Sequence, residues 1–171
     1  MSFLFSSFLL LAILLQTTIF ARFFPTDIKP DLFLGLTLYA GLFLSPSKGL
    51  TYGLVAGAIL DIFSEGVIGP NTLSLMSLGL LSGNVRNYVL VGNPLVQAAI
   101  IIAATLFQWI ILLIYTGTFQ VIWSPLAILI FLQQFGYFLF MQVIFNLVFI
   151  FLIFGFFNFL RSKKYRVLHR L

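Results

Sequence analysis

The sequence predicts an all-α protein, a polytopic membrane bundle of six transmembrane helices. Of its 171 residues, 61% are hydrophobic and only 8% are charged, a composition far from that of a soluble domain. No charged residue precedes Arg22 or falls between Arg86 and Arg161, so apolar spans fill most of the chain. The first apolar run has no basic leader and no small-residue cleavage site. We therefore expect it to remain as a helix rather than be removed as a signal peptide.

The first two spans are predicted over residues 3–21 and 32–44. Gln16-Thr17-Thr18 lies near the exit of the first span, where polar side chains are expected to bond to neighbouring helices. Pro30 can start the second span. Asp31 falls in its first turn, where the helix dipole favours an anion.

The third span carries glycines at four-residue spacing, Gly49, Gly53 and Gly57. Residues so spaced share one helix face, and a bare face lets another helix backbone approach closely. Asp61 and Glu65 continue the same stripe towards its far end. A carboxylate inside a membrane costs about 2.5–3.5 kcal/mol, so we expect this pair to face protein, water or a partner rather than lipid.

The fourth and fifth spans are predicted over residues 71–85 and 94–115. Gly79 and Gly83 repeat the small-residue spacing in the fourth span. Glycines assigned to helix packing or a partner interface are Gly49, Gly53, Gly57, Gly79 and Gly83. Candidate partner contacts are Asp61, Glu65, Pro30 and Asp31.

The last apolar run, residues 126–160, is too long for one upright crossing. At 1.5 Å per residue it would extend about 52 Å, against a hydrocarbon core of ~30 Å. We predict an interfacial opening over residues 125–131, followed by one steep helix over residues 133–160. Two crossings are disfavoured because no turn-forming cluster surrounds Gly136. Gln134, Gln142 and Asn146 share the expected inward face of this helix, as do Gln97, Thr105 and Gln108 in the fifth span.

The basic residues indicate which way the bundle lies in the membrane. With six spans and an inner N-terminus, Lys48, Arg86 and the C-terminal tail are cytoplasmic, while Arg22 and Lys29 are outside. The chain therefore divides into a membrane domain, residues 1–160, and a basic cytoplasmic tail, residues 161–171. Anionic lipid explains the net charge of +5 better than nucleic acid, with a cytoplasmic partner as the alternative. The tail residues concerned are Arg161, Lys163, Lys164, Arg166 and Arg170.

Few side chains of the sequence could support catalysis. There is no cysteine, and the one histidine, His169, lies in the tail, so thiolate or histidine metal sites and histidine triads have no basis. Asp61 and Glu65 could form an acid and base pair, but no nucleophile accompanies them. We predict that the protein is not an enzyme and has neither metal nor cofactor.

Five short motifs occur in one order along the chain. They are Gln16-Thr17-Thr18, Pro30-Asp31-Leu32, the glycine repeat, Asp61-Ile62-Phe63-Ser64 and Gly69-Pro70-Asn71. Together they resemble the family of the rod shape-determining protein MreD over nearly the whole chain.

The resemblance implies a non-enzymatic, multi-pass component of the bacterial inner membrane, acting in the cell-elongation machinery. Its expected partners are an MreC-like single-span protein, the MreB filament and the peptidoglycan synthase pair. The implied fold is similar to the substrate-binding subunits of energy-coupling-factor transporters. A vitamin-binding transporter subunit is therefore the alternative function, and a carrier of lipid-linked precursors is a third interpretation.

Overall fold

The computed structural model describes residues 2–20, 22, 29–63, 68–116 and 125–168, and these residues form helices joined by short connections. No strand occurs among them, so the all-α prediction is confirmed. Helix α1 spans Ser2–Leu14 and continues as a π-helix over Leu15–Phe20, and α2 spans Leu32–Tyr39 and continues likewise over Ala40–Leu44. The remaining helices are α3 (Pro46–Phe63), α4 (Pro70–Val85), α5 (Pro94–Thr116) and α6 (Pro125–Leu168).

Among the residues that the structure describes, two segments are long and apolar enough to cross a membrane, Pro94–Tyr115 in α5 and Gly136–Leu160 in α6. The segment Leu32–Leu44 is apolar but shorter. Each of the six helices in the described part of the chain overlaps one predicted span. Hydropathy and length identify two membrane-spanning segments among the described residues. Six crossings and cytoplasmic termini therefore stay predictions.

Proline residues set where most of the helices begin. Pro46, Pro70, Pro94 and Pro125 are each the first residue of a helix. Proline suits this position because its fixed φ is helical and its missing N–H would have had no partner there. Just before Pro70, Gly69 has φ +121°, a backbone conformation that favours glycine.

Helix α6 runs unbroken for 44 residues, through Gly136 and past Leu160. The expected single helix in place of two crossings is thus observed. The predicted separate opening over residues 125–131 is not, because Pro125 starts the same helix and no breaker follows it. At 1.5 Å per residue α6 is about 66 Å long, so much of it must lie outside a hydrocarbon core of ~30 Å.

Helix α2 forms the centre of the bundle. Every residue from Leu32 to Leu42 is buried, and α2 contacts α1, α3, α4 and α6. The ring of Tyr39 stacks on Phe43 and on Phe157 of α6, each with ring centroids 4.7 Å apart. A helix that is apolar on all sides is typical of a buried one, which explains why the shortest apolar span lies innermost.

Candidate functional site

Helices α3 and α4 pack with their backbones in contact, and glycines line the interface from both sides. A Cβ atom added to Gly49 would collide with the backbone oxygen of Gly79, and one added to Gly53 would collide with that of Leu75. Gly57 faces the backbone of Thr72 in the same way, and Gly83 faces Pro46. These glycines therefore lie inside the α3–α4 hairpin, where no larger residue fits.

Asp61, near the end of α3, caps the beginning of α4. Its Oδ1 accepts hydrogen bonds from the backbone N–H and the side-chain amide of Asn71, at 3.1 and 3.0 Å. Its Oδ2 accepts from the backbone N–H and the hydroxyl of Thr72, at 2.9 and 2.5 Å. The first N–H groups of a helix lack partners within it and attract negative charge. Here the carboxylate of Asp61, from the neighbouring helix, provides both the hydrogen-bond acceptors and the negative charge.

The side chain of Asp61 is only 1% exposed, and both of its oxygens are engaged inside the hairpin. The contact between Asp61 and a partner protein stays a prediction. To make it, a partner would have to reach a buried side chain that already has these hydrogen bonds. Glu65 lies outside the described residues.

A second polar site holds the segment Lys29–Asp31 in place with three amide side chains from two helices. The amide of Gln142 donates to the carbonyl of Lys29 at 2.7 Å, and the amide of Gln16 donates to the carbonyl of Pro30 at 3.1 Å. The backbone N–H of Asp31 donates to Oδ1 of Asn146 at 2.9 Å. We call Gln16, Gln142 and Asn146 the amide clamp. It ties the start of α2 to α1 and α6.

The side chain of Asp31 extends this network to α5. One oxygen accepts from the N–H of Leu34 at 2.9 Å and so caps α2, and the other accepts from the amide of Gln108 at 2.8 Å. Asn146 also donates to the hydroxyl of Thr105 at 3.1 Å. Because these groups are buried, removing the partner of any one of them would leave a polar group without a hydrogen bond and would destabilise the folded protein. The network therefore links α1, α2, α5 and α6.

The sequence placed several of these side chains on inward faces but could not tell what they bind. In the structure Gln16, Gln108, Gln142 and Asn146 converge on residues 29–31. The carbonyl of Lys29 was missed as a docking point, because no sequence signal distinguishes one backbone oxygen from another. Pro30 and Asp31, expected to contact a partner, are both buried.

The basic tail is described only as backbone. Helix α6 continues to Leu168, and the side chains of Arg161, Lys163, Lys164 and Arg166 are not among those described. Arg170 lies beyond the described residues. Within the described residues, no group of three histidine or acidic side chains is placed to hold a metal ion.

Comparison with known proteins identifies a family. The family model described as rod shape-determining protein MreD matches residues 1–160. No curated protein and no solved structure matches the chain. The expected likeness to the substrate-binding subunits of energy-coupling-factor transporters therefore stays a prediction.

Proposed function

The chain belongs to the MreD family of rod shape-determining proteins, and we propose that it is a scaffold of the cell-elongation machinery in the bacterial inner membrane. In this role it binds an MreC-like single-span protein. Through that partner it helps to couple the MreB filament to the peptidoglycan synthase pair. The match of the family model to residues 1–160 carries the proposal.

The use of the buried polar groups supports a scaffold. The carboxylates of Asp31 and Asp61 both bind groups within the bundle, and the amide clamp binds backbone. Their hydrogen bonds hold helices to one another rather than converging on an open cavity. A bundle fixed in this way presents apolar faces of constant shape to other membrane helices.

A small apolar surface near the α3–α4 turn is our candidate for the partner contact. Ile62 and Phe63 are 73% and 63% exposed, and Ile68 is 77% exposed. We call these residues the outer patch, because the predicted topology places this turn on the periplasmic side. Exposed apolar side chains at a membrane boundary favour contact with lipid or with another protein. A partner span leaving the membrane beside α3 would meet them.

The vitamin-binding alternative requires a cavity with a few converging polar groups. The described groove between α1, α2 and α6 is lined by residues such as Phe8, Leu32 and Phe156, and its whole lining is apolar. The groove between α4 and α5 has Ser82 as its one polar lining residue. Ser82 already donates to the carbonyl of Gly79 at 3.1 Å. The linings of these two grooves favour hydrocarbon over a polar vitamin.

Native mass spectrometry of the full chain can separate the two functions. The chain is purified from its own host without added ligand, together with whatever it holds. We expect a complex with a single-span protein whose remaining domain is periplasmic. A water-soluble small molecule, distinct from membrane phospholipid, retained at one per chain with no such protein would instead establish the transporter subunit and refute the scaffold.

A further inference from the structure

An apolar groove of about 530 Å³ runs between α4 and α5, with α2 beneath it. Leu38 of α2 contributes to the lining, together with small side chains of α5 such as Ala99 and Ala103. Val85 and Val89 line the end that lies beyond α4. The groove has the lining of a site for a hydrocarbon chain.

A second cavity of about 570 Å³ lies next to this groove, and Arg86 is one of its lining residues. Val89 lines both cavities. Residues 89–93 form one side of the second cavity, and Phe43 and Arg86 lie on the other sides. One Nη of Arg86 donates to the carbonyl of Leu44 at 2.9 Å, which holds the guanidinium at the cavity. An apolar groove and a cavity lined by a positive charge therefore adjoin at Val89.

The chain offers Arg86 no nearby carboxylate among the described residues. Asp61 binds the first turn of α4, whereas Arg86 caps its last turn, and the 16 residues of α4 separate the two by about 24 Å. Asp31 caps the first turn of α2, whereas Leu44, which accepts from Arg86, ends the same segment. Both described carboxylates therefore lie at the far end of the helices that meet Arg86. Among the described residues, no carboxylate is therefore placed to pair with Arg86, and an anion from outside the protein could do so.

We propose that this groove binds one anionic glycerophospholipid, with its phosphate at Arg86 and one acyl chain along α4 and α5. Basic pockets between transmembrane helices on the cytoplasmic side bind anionic lipid headgroups, and the predicted topology places Arg86 on that side. The apolar lining of the groove suits a hydrocarbon chain, and the guanidinium of Arg86 in the adjoining cavity suits an anion. The proposal does not depend on the scaffold function, since it rests on the groove and on Arg86.

The first test compares two lipid headgroups on the same protein. The purified, delipidated full chain is titrated with phosphatidylglycerol or with phosphatidylcholine and examined by native mass spectrometry. We expect one phosphatidylglycerol per chain to bind about tenfold more tightly than phosphatidylcholine. Both phosphates can accept a hydrogen bond from the guanidinium, but the quaternary ammonium of phosphatidylcholine cancels the net negative charge that attracts Arg86. Equal affinities for the two lipids would overturn the proposal.

The second test locates the site. Arg86→Gln should weaken phosphatidylglycerol binding about tenfold, to the level of phosphatidylcholine. Lys48→Gln is the control, because it removes one positive charge at the same end of the α3–α4 hairpin but outside the groove lining. The basic tail is identical in both variants, so its own binding of lipid does not distinguish them. Equal weakening by the two variants would assign the effect to general surface charge and refute the site.

A third variant remains informative if Arg86→Gln does not fold. Ala103→Phe fills the groove without altering charge and should reduce the binding of both lipids. Ile114→Phe, at an exposed position of the same helix outside the groove, should not. Unchanged binding in Ala103→Phe would exclude an acyl chain from the groove. A photo-crosslinker at Ala103 that captures a protein helix in place of lipid would do the same.

Discussion

At the scale of single residues, two buried carboxylates hold helix ends in place. Asp31 caps α2 and is linked to α5 and α6, while Asp61 reaches across the α3–α4 hairpin to cap α4. The sequence showed that carboxylates so deep in apolar runs must find polar surroundings. It could not show that Asp61 binds Asn71 and Thr72, since that depends on the path of the turn between the two helices.

Substitution of Asp61 should affect stability in proportion to the hydrogen bonds lost. Asp61→Ala leaves the first N–H groups of α4 without acceptors, at a cost of about 1–3 kcal/mol for a buried group. Asp61→Asn keeps one oxygen and should lie between alanine and the wild type. Thermal unfolding of the purified protein, followed by size-exclusion chromatography, measures both. A wild-type melting temperature for Asp61→Ala would contradict the capping role.

Asn146 offers the corresponding test of the amide clamp. Asn146→Leu removes the acceptor of the Asp31 N–H and the donor to Thr105, so we expect a lower yield of folded protein and a lower melting temperature. Asn158→Leu is a matched control on the same helix, since Asn158 is half-buried and lies outside the network. Equal loss of stability in the two variants would show that the clamp has no particular importance.

At the scale of elements, the glycine spacing predicted that α3 and α4 each have a bare face. It did not predict which helix would cover that face. Four-residue spacing indicated a bare helix face, and in the structure Gly49 and Gly79 lie backbone to backbone. The spacing alone fits a partner's helix equally well. Only the fold shows that α4, the next helix in the chain, covers this face of α3.

Leucine substitutions should separate buried glycines from open ones. Gly53→Leu and Gly57→Leu should abolish or strongly reduce folded protein, because their Cβ atoms would meet backbone that cannot move aside. Gly35→Leu should be milder, since its neighbours are the side chains of Ile150 and Ile153. Yield of monodisperse protein is the readout.

Gly136 and Gly155 of α6 are the controls for this series. Nothing lies within 4 Å of a Cβ atom at either position, so leucine should be tolerated there. If Gly53→Leu were recovered as well as Gly155→Leu, the close packing of α3 on α4 would be wrong.

Two features of the elements were beyond the reach of the sequence. The polar side chains at Gln142 and Asn146 indicated an inward face of α6, yet they bind residues 29–31, more than a hundred positions earlier in the chain. Such contacts require the arrangement of helices around the bundle, which spacing within one helix cannot supply. The length of α6 was also underestimated, because the interface was expected to end the helix and nothing in its sequence does.

At the scale of the whole molecule, the charge distribution predicts cytoplasmic termini. The chain has no natural cysteine, so single cysteines introduced at Ser2 or Ser162 report their side without background. A membrane-impermeant thiol reagent should label neither position in intact spheroplasts and both after lysis. Labelling of either position before lysis would contradict the six-span topology.

The proposed scaffold function requires that the whole molecule bind a single-span partner. The outer patch is the surface through which we expect this binding, and α6 provides a comparison, since Phe156 and Phe159 are also exposed and apolar. The double variants Ile62→Ser/Phe63→Ser and Phe156→Ser/Phe159→Ser each remove two exposed apolar side chains, at different sites.

The most direct measurement is recovery of the MreC-like partner from membranes that contain each variant at equal abundance. We expect the wild-type chain and the Phe156→Ser/Phe159→Ser variant to recover the partner in equal amounts and to maintain rod shape. The Ile62→Ser/Phe63→Ser variant should recover no more than about one tenth as much of the partner, as expected when an anchoring contact is lost, and its cells should be rounded. Failure of the wild-type chain to recover any single-span partner, in cells that it keeps rod-shaped, would contradict the account.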